Sequence, residues 1–214
     1  MAEFIESGSH PYEMHRLVLH EVSPWKANLK NKKILDIGCG KGIYGFLLKA
    51  DKGADSLVGI DISLQNLLFC KEHKIYNLLI RGDIRRLPFK DKTFDIVLAS
   101  EVIEHMKKEE GTLLLKELER ICKEKIILTT PNGYWPQSNI GNNPHEIHIS
   151  GWSCSDFKKE GFKAYGFGSR FFNRHKIMRY VLMYMLTPIT YFLPMFGEFL
   201  IVTKSVDKRK RRLL

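Results

Sequence analysis

Residues 34–42 read Ile34-Leu35-Asp36-Ile37-Gly38-Cys39-Gly40-Lys41-Gly42. An apolar run ends in a loop with glycine at every second position, so a ligand can press against backbone that carries no side chain. Nineteen residues beyond Gly42, a second apolar run, Leu57 to Ile60, ends in Asp61. Glycines for close approach and an acidic side chain for ribose hydroxyls describe a site for a nucleotide-type ligand. The glycine spacing leaves two owners open, because Gly40, Gly42 and Gly45 also satisfy the G-x-G-x-x-G pattern of a dinucleotide site.

Three further features separate the two. Asp36 stands two residues before the first glycine, where a loop of the NAD type continues with apolar residues. Gly82-Asp83-Ile84 closes the next apolar run, about Asn77 to Arg81, and places a carboxylate where an adenine would lie. Phe94-Asp95-Ile96-Val97-Leu98-Ala99-Ser100 then forms another buried strand that runs directly into Glu101-Val102-Ile103-Glu104-His105. In this order and spacing the stretch from about Lys33 to Gly168 resembles the class I S-adenosylmethionine-dependent methyltransferases, of the type 11 kind.

The resemblance implies an α/β, Rossmann-like fold: a seven-stranded, mostly parallel sheet with an antiparallel last strand and helices on both faces. It also implies S-adenosylmethionine as methyl donor. Asp36 and the backbone of Gly38, Gly40 and Gly42 would hold the amino-acid part of the donor. Asp61 would accept from the ribose hydroxyls, Ile62 would lie against the adenine, and Asp83 with the Ile84 backbone would meet the adenine amino group. Ser100, at the end of its strand, completes the donor set. Plainer roles stand beside these: Asp61 capping a helix that starts near Ser63, and Asp83 serving a turn.

The wider chain supports a layered α/β fold without reference to any family. Apolar strands (Lys33 to Ile37, Leu57 to Ile60, Asn77 to Arg81, Phe94 to Ser100, Lys125 to Thr130) alternate with helical stretches at Gly42 to Lys49, Ser63 to His73 and Lys107 to Lys123. Helix-like spacing of Leu17, Val18 and Val22 predicts one more helix before the first strand, within His10 to Trp25. Near-continuous apolar strands with intervening helices fit a parallel sheet covered on both faces, with ligands at the carboxyl ends of its strands. Phe199-Leu200-Ile201-Val202-Thr203 fits the closing antiparallel strand. The expected organisation is one domain over 1–204 and a basic, disordered tail over 205–214.

Two segments stand apart. Residues 131–152, opened by Pro131-Asn132-Gly133, hold Tyr134, Trp135, His145, Glu146, His148 and Trp152, and read as a substrate-facing lid. An apolar insertion over 176–197 contains Tyr180 to Gly197, eighteen residues without a charge, interrupted by Pro188 and Pro194. It allows three readings: core or lid helices, a hydrophobic acceptor pocket or membrane-surface helix, and a membrane span.

A chain of 214 residues, 44% hydrophobic and 27% charged, is ordinary for a globular protein. Cys39, Cys70, Cys122 and Cys154 show neither paired nor metal-ligand spacing, and residues 1–7 lack the basic and apolar blocks of a signal peptide. The expected location is the cytoplasm, with a peripheral membrane contact left open. Net charge is +10, and Lys204 to Leu214 carries +5 of it, six basic residues against Asp207. Such a cluster suits anionic lipid or nucleic acid, or is simply a solvated end.

The sharper chemistry lies in Glu101, Glu104 and His105. A helix starting directly after the strand would put these i, i+3 and i+4 positions on one face. Two carboxylates and an imidazole held close call for a cation or a proton to balance them. His148, followed by Trp152 four residues on and Phe157 nine on, adds a fourth member. The pattern resembles small-RNA 3′-terminal 2′-O-methyltransferases, and Glu-x-x-Glu-His also resembles ubiquinone-pathway O-methyltransferases acting on catechols. The resemblance implies that Glu101, Glu104, His105 and His148 are both the catalytic set and the ligands of a divalent metal such as Mg²⁺ or Mn²⁺. Helix capping and pocket shaping remain the plain alternative, and His145 and Glu146 are alternative ligands or a general base.

The expected function is O-methylation of a small or lipophilic acceptor. RNA 2′-O-methylation with a divalent metal is the second reading, a non-catalytic donor-binding regulatory module the third, and a dinucleotide oxidoreductase the fourth. Oligomeric state is not legible in the sequence.

Overall fold

The computed structural model describes residues 12–23, 29–136, 147–169 and 176–206. His145, Glu146 and the rest of 137–146 in the expected lid, and 207–214 of the basic tail, lie outside the described residues.

Strand β1 (Lys33–Ile37) is buried from its second residue onward because it is flanked in parallel on both sides, by β2 (Ser56–Asp61) and β4 (Phe94–Ser100). Strand β3 (Leu78–Arg81) extends the sheet beyond β2, again in parallel. With β5 (Cys122–Pro131), β6 (Lys163–Phe167) and β7 (Phe199–Ser205) the sheet has seven strands in the order β3-β2-β1-β4-β5-β7-β6, β7 running antiparallel to β6. This is the mixed sheet expected from the sequence. The order reverses direction between β1 and β4, the topological switch point at which doubly wound sheets bind ligands.

The chain divides into two compact units. The first comprises Met1–Ser100, Lys116–Ile127 and Ser205–Leu214, the second Glu101–Leu115 and Leu128–Lys204. In the first, Ile34, Leu35, Leu57, Ile60, Val97 and Leu98 form the sheet's share of the core. Helix α1 (Tyr12–Val22) adds Met14 and Val18, and its His15 ring meets Tyr44 of α2 (Ile43–Lys52) edge-on at 5.1 Å. Helix α3 (Leu64–Glu72) starts at Ser63, whose hydroxyl accepts from the Asn66 N–H, an ordinary N-cap.

Helix α4 (Lys108–Ile121) passes into β5 with no intervening loop, so β5 begins at Cys122 rather than at the expected Lys125. The carbonyls at the helix end need partners there. Lys92 supplies them: its backbone N–H donates to the Arg120 carbonyl, and its ammonium donates to the carbonyls of Glu119 and Cys122.

In the second unit the largest buried side chains are Trp152, Phe157 and Phe167. Helix α5 (Cys154–Lys159) is fixed by a capping box between Ser153 and Asp156. Helix α6 (Lys176–Phe192) lies close against β6. At Gly166 any Cβ would come within 2.3 Å of the Thr190 carbonyl, and Tyr191 stacks on Tyr165 at 4.6 Å. Pro188 sits inside this helix without ending it, while Pro194 opens the 3-10 turn Pro194–Phe196 that follows. Among the described residues no helix is long and apolar enough to cross a membrane, which removes the span from the three readings of 180–197.

Candidate functional site

In the first unit the glycine loop is knitted to the end of β2. The Asp61 carboxylate accepts from the Gly40 N–H at 2.8 Å with one oxygen and from the Ser63 N–H at 2.7 Å with the other. Cys39 N–H donates to the Ile60 carbonyl. Asp61 is therefore the clasp of the loop, while the capping of α3 that the sequence offered it falls to Ser63. Gly40 has φ +50, and a Cβ there would meet nothing within 4 Å, so the space over the loop is open to a ligand.

The other glycines of the G-x-G-x-x-G pattern are covered by protein. A Cβ on Gly42 would touch Ile75 and Cys70 at 2.9 and 3.0 Å, and one on Gly45 would enter the Tyr76 ring at 2.4 Å. Gly45 thus makes room for Tyr76, whose hydroxyl donates to the buried Asp36 carboxylate at 2.5 Å. Burial pushes the Asp36 carboxyl up to about 7, the Tyr76 hydrogen bond opposing and nearby Asp61 adding to the rise. Tyr76 had no signal in the sequence: it lies just ahead of β3, forty residues from its partner. Cys70 also belongs to the loop, its thiol donating to the Gly40 carbonyl at 3.3 Å. Cys39 and Cys70 are both buried and reduced, the Cys39 thiol held far up, first by its hydrogen bond with Cys70 and then by burial.

Asp83, Ile84 and Ser100 are partly exposed at the ends of β3 and β4. Asp83 carries the turn: its carboxylate takes the Arg85 guanidinium at 2.6 and 2.9 Å and the Arg85 N–H at 3.0 Å. Ile62, partly exposed after β2, accepts from Arg81 through its carbonyl at 3.3 Å.

In the second unit the expected helix directly after β4 does not form. Glu101 takes a left-handed backbone at φ +52 with its N–H on the Thr129 carbonyl, and a 3-10 turn, Ile103–His105, precedes α4. Glu101, Glu104 and His105 therefore do not share one helix face. A left-handed non-glycine residue costs on the order of 1–3 kcal/mol, so the fold spends stability on turning the chain here. The turn brings Glu104 and His105 to His148. One ligand-type atom from each of these three lies within 4.8 Å of the others, and Glu101 is not in that set.

Glu104 is buried. One carboxylate oxygen accepts from the Thr130 hydroxyl at 3.1 Å; the other, Oε1, has no hydrogen-bond partner. Burial drives this carboxyl well above the usual range, and the adjacent Glu101 charge drives it further. His148 Nδ1 is 2.9 Å from the Trp135 carbonyl and His105 Nδ1 is 3.2 Å from the Ile147 carbonyl, the two rings 4.9 Å apart. A carbonyl accepts only, so each Nδ1 is the donor of its bond, and in the neutral imidazole this leaves the lone pair on Nε2. Metal-binding imidazoles are commonly oriented this way.

The segment bearing His148 is pinned by its aromatic neighbour. Trp152 is buried against α4, where a Cβ on Gly111 would meet its ring at 2.3 Å, and its indole N–H donates to Ser150. Lys108 lies 4.0 Å over the same ring and donates to the Gly151 carbonyl and to Asp156. Backbone N–H groups of Ile149 and Ser150 both donate to the Glu104 carbonyl, tying the segment to the 3-10 turn. A buried carboxylate with an unmatched oxygen and two imidazoles in this tautomer fits a divalent cation. The mixed N/O set does not select one ion.

Comparison with known proteins points to a methyltransferase domain. A family model described as a methyltransferase domain matches residues 35–128. An uncharacterized protein of Methanocaldococcus jannaschii is 35% identical over 153 residues, 69% of this chain and 63% of its own length. Phthiotriol/phenolphthiotriol dimycocerosates methyltransferase of Mycobacterium tuberculosis is 28% identical over 155 residues, 70% of this chain and 52% of its own. The chain thus spans less than two thirds of either relative. A crystal structure of a SAM dependent methyltransferase from Archaeoglobus fulgidus shares the fold, with a TM-score of 0.61 at 21% identity over 94% of this chain and 97% of that one. The domain match runs from β1 into β5, across the glycine-loop residues described above, so this stretch is a methyltransferase domain, and the sheet that contains it has the fold of S-adenosylmethionine-dependent methyltransferases.

Proposed function

We propose that the chain transfers the methyl group of S-adenosylmethionine to an oxygen of an acceptor that carries two neighbouring oxygens on an apolar body, such as a catechol-type quinone precursor. The observation that carries this reading is the buried Glu104, its Oε1 without a hydrogen-bond partner, beside the imidazoles of His105 and His148. Methyl transfer from a sulfonium is an in-line displacement with its leaving group built in, so the protein's work is alignment and removal of a proton. A divalent cation held by Glu104, His105 and His148 would supply Lewis acidity that lowers the pKa of an acceptor hydroxyl.

The chain's own residues divide the remaining tasks. Asp61 shapes the glycine loop through Gly40, and Asp36, kept half-protonated near neutral pH, gains ionised character when the donor's ammonium group approaches. Thr130 fixes the plane of the Glu104 carboxyl, and the carbonyls of Ile147 and Trp135 fix the tautomers of His105 and His148. The name of the mycobacterial relative supports a hydroxyl or phenol acceptor with a large attached body. A terminal ribose of RNA offers the same pair of oxygens, and the basic sequence from Lys204 onward is what favours that second acceptor.

Calorimetry with S-adenosylhomocysteine, followed by Mn²⁺ titration of wild type, Glu104→Ala and His148→Ala, tests the reading. Failure to bind S-adenosylhomocysteine sinks the donor assignment. Donor binding with Mn²⁺ affinity untouched by either substitution sinks the cation. Turnover of catechols against a short RNA, at low and high salt, then separates the acceptors, since RNA binding weakens steeply with salt.

A further inference from the structure

Exposed apolar side chains gather on the outer side of α6. Val181, Met185, Ile189 and Phe192 recur at steps of four, four and three, which puts them on one face of the helix, and Met185 and Phe192 are 70% and 78% exposed. The face continues through Leu193, Met195 and Phe196. The opposite side is already used: Thr190 is buried, Tyr191 stacks on Tyr165, and Thr187 accepts from the Gly168 N–H. The helix is therefore amphipathic in an unusual sense, its inner side held by protein rather than by water.

We propose that this face docks on the surface of an anionic bilayer. No charged residue occurs from Tyr180 to Gly197, so nothing on the face resists transfer out of water. The sequence leading into this face is cationic: residues 170–179 hold Arg170, Arg174, Lys176 and Arg179 with no acid, and Lys176 and Arg179 stand in the first turn of α6 itself. An apolar helix face entered through cations matches acyl chains below and anionic headgroups above. At 17 residues α6 is too short to cross, so the contact is a helix lying on the surface.

This inference stands whichever acceptor is used, and its test needs no turnover. The full chain is sedimented with vesicles of phosphatidylcholine alone and of phosphatidylcholine mixed with phosphatidylglycerol. Wild type is expected to co-sediment with the mixed vesicles. Met185→Glu with Phe192→Glu should weaken that binding roughly tenfold or more, as binding scales with the apolar area inserted. Both side chains are exposed, so S-adenosylhomocysteine affinity and circular dichroism should stay at wild-type values. Vesicle binding unchanged in the double variant overturns the proposal. So does wild type that ignores vesicles and instead forms a concentration-dependent dimer that the double variant abolishes.

Discussion

Each unit positions its site with an aromatic ring laid over a helical glycine, Tyr76 over Gly45 in the first and Trp152 over Gly111 in the second. The likeness ends at the polar atom of the ring. Tyr76 donates straight to Asp36, so the ring is part of the donor site's charge balance. Trp152 donates to Ser150 and only anchors the backbone that carries His148. In the donor loop each Asp61 oxygen accepts a backbone N–H, from Gly40 and from Ser63, whereas the second site keeps the Glu104 Oε1 buried without a hydrogen-bond partner. One site is finished by the fold. The other is finished by a proton or a cation.

The largest expected effect falls on the unfinished site. Glu104→Ala or His148→Ala should weaken Mn²⁺ binding by roughly 100-fold or more in calorimetry, while S-adenosylhomocysteine still binds. Because the Glu104 carboxyl is pushed up, it holds its proton where an exposed glutamate would not. Cation uptake must then release that proton, so affinity should rise with pH, and the measured heat should depend on the buffer's ionisation enthalpy. Heat that is independent of the buffer would show that Glu104 is already ionised.

Next come the two glycines. Gly45→Ala and Gly111→Ala each place a methyl group inside an aromatic ring, at 2.4 and 2.3 Å. Overpacking of this kind costs about 1–3 kcal/mol. In thermal denaturation both variants should melt lower; their ligands should separate them. Gly45→Ala should weaken S-adenosylhomocysteine and spare Mn²⁺, and Gly111→Ala the reverse. Equal losses of both ligands in both variants would show that the two glycines do not serve separate sites.

A smaller effect belongs to Tyr76→Phe, which removes the hydrogen bond that holds the Asp36 carboxyl down. The expected cost is about 1–2 kcal/mol. Asp36 also gives stability a pH slope of known sign. Its carboxyl rises from 3.8 to about 7 on folding, so between those values the folded state keeps a proton that the unfolded state has lost. Its contribution therefore falls as pH climbs from about 4 to about 7. Asp36→Asn should flatten that slope, and melting curves at pH 5 and 7.5 read it directly.

The smallest effect is expected for Asp83→Asn. Its partner Arg85 is half-exposed and two residues away, so the loss should stay under about 1 kcal/mol. If donor affinity nevertheless drops tenfold, corresponding to about 1.4 kcal/mol, Asp83 recognises the adenine as well as making its turn.

Most of the sheet could be read from the chain because its signals are local. β1 and β4 lie where apolar runs end in Gly38 and Ser100, and α3 starts where Ser63 caps it. The donor loop is legible for the same reason: Asp36, Gly38, Gly40 and Gly42 sit within seven residues, and their spacing is the chemistry. Where the reading of local pattern failed, a distant partner decided. A helix through Glu101 is plausible by spacing, but Glu101 is bonded to Thr129 of β5 and turns left-handed instead.

The sequence by itself determined most of the sheet, the glycine loop and the match to a methyltransferase domain, since each depends on residues close in the chain. Only the tertiary structure decided which side chains make the second site, because Glu104 and His148 lie forty-four residues apart and meet through backbone bonds to Ile149 and Ser150. It also decided that Gly45 serves a tyrosine rather than a phosphate, and that α6 turns its apolar outer face away from β6. Pattern records what a residue can do. Which of those possibilities is used depends on what is packed against it, and that contact is long-range.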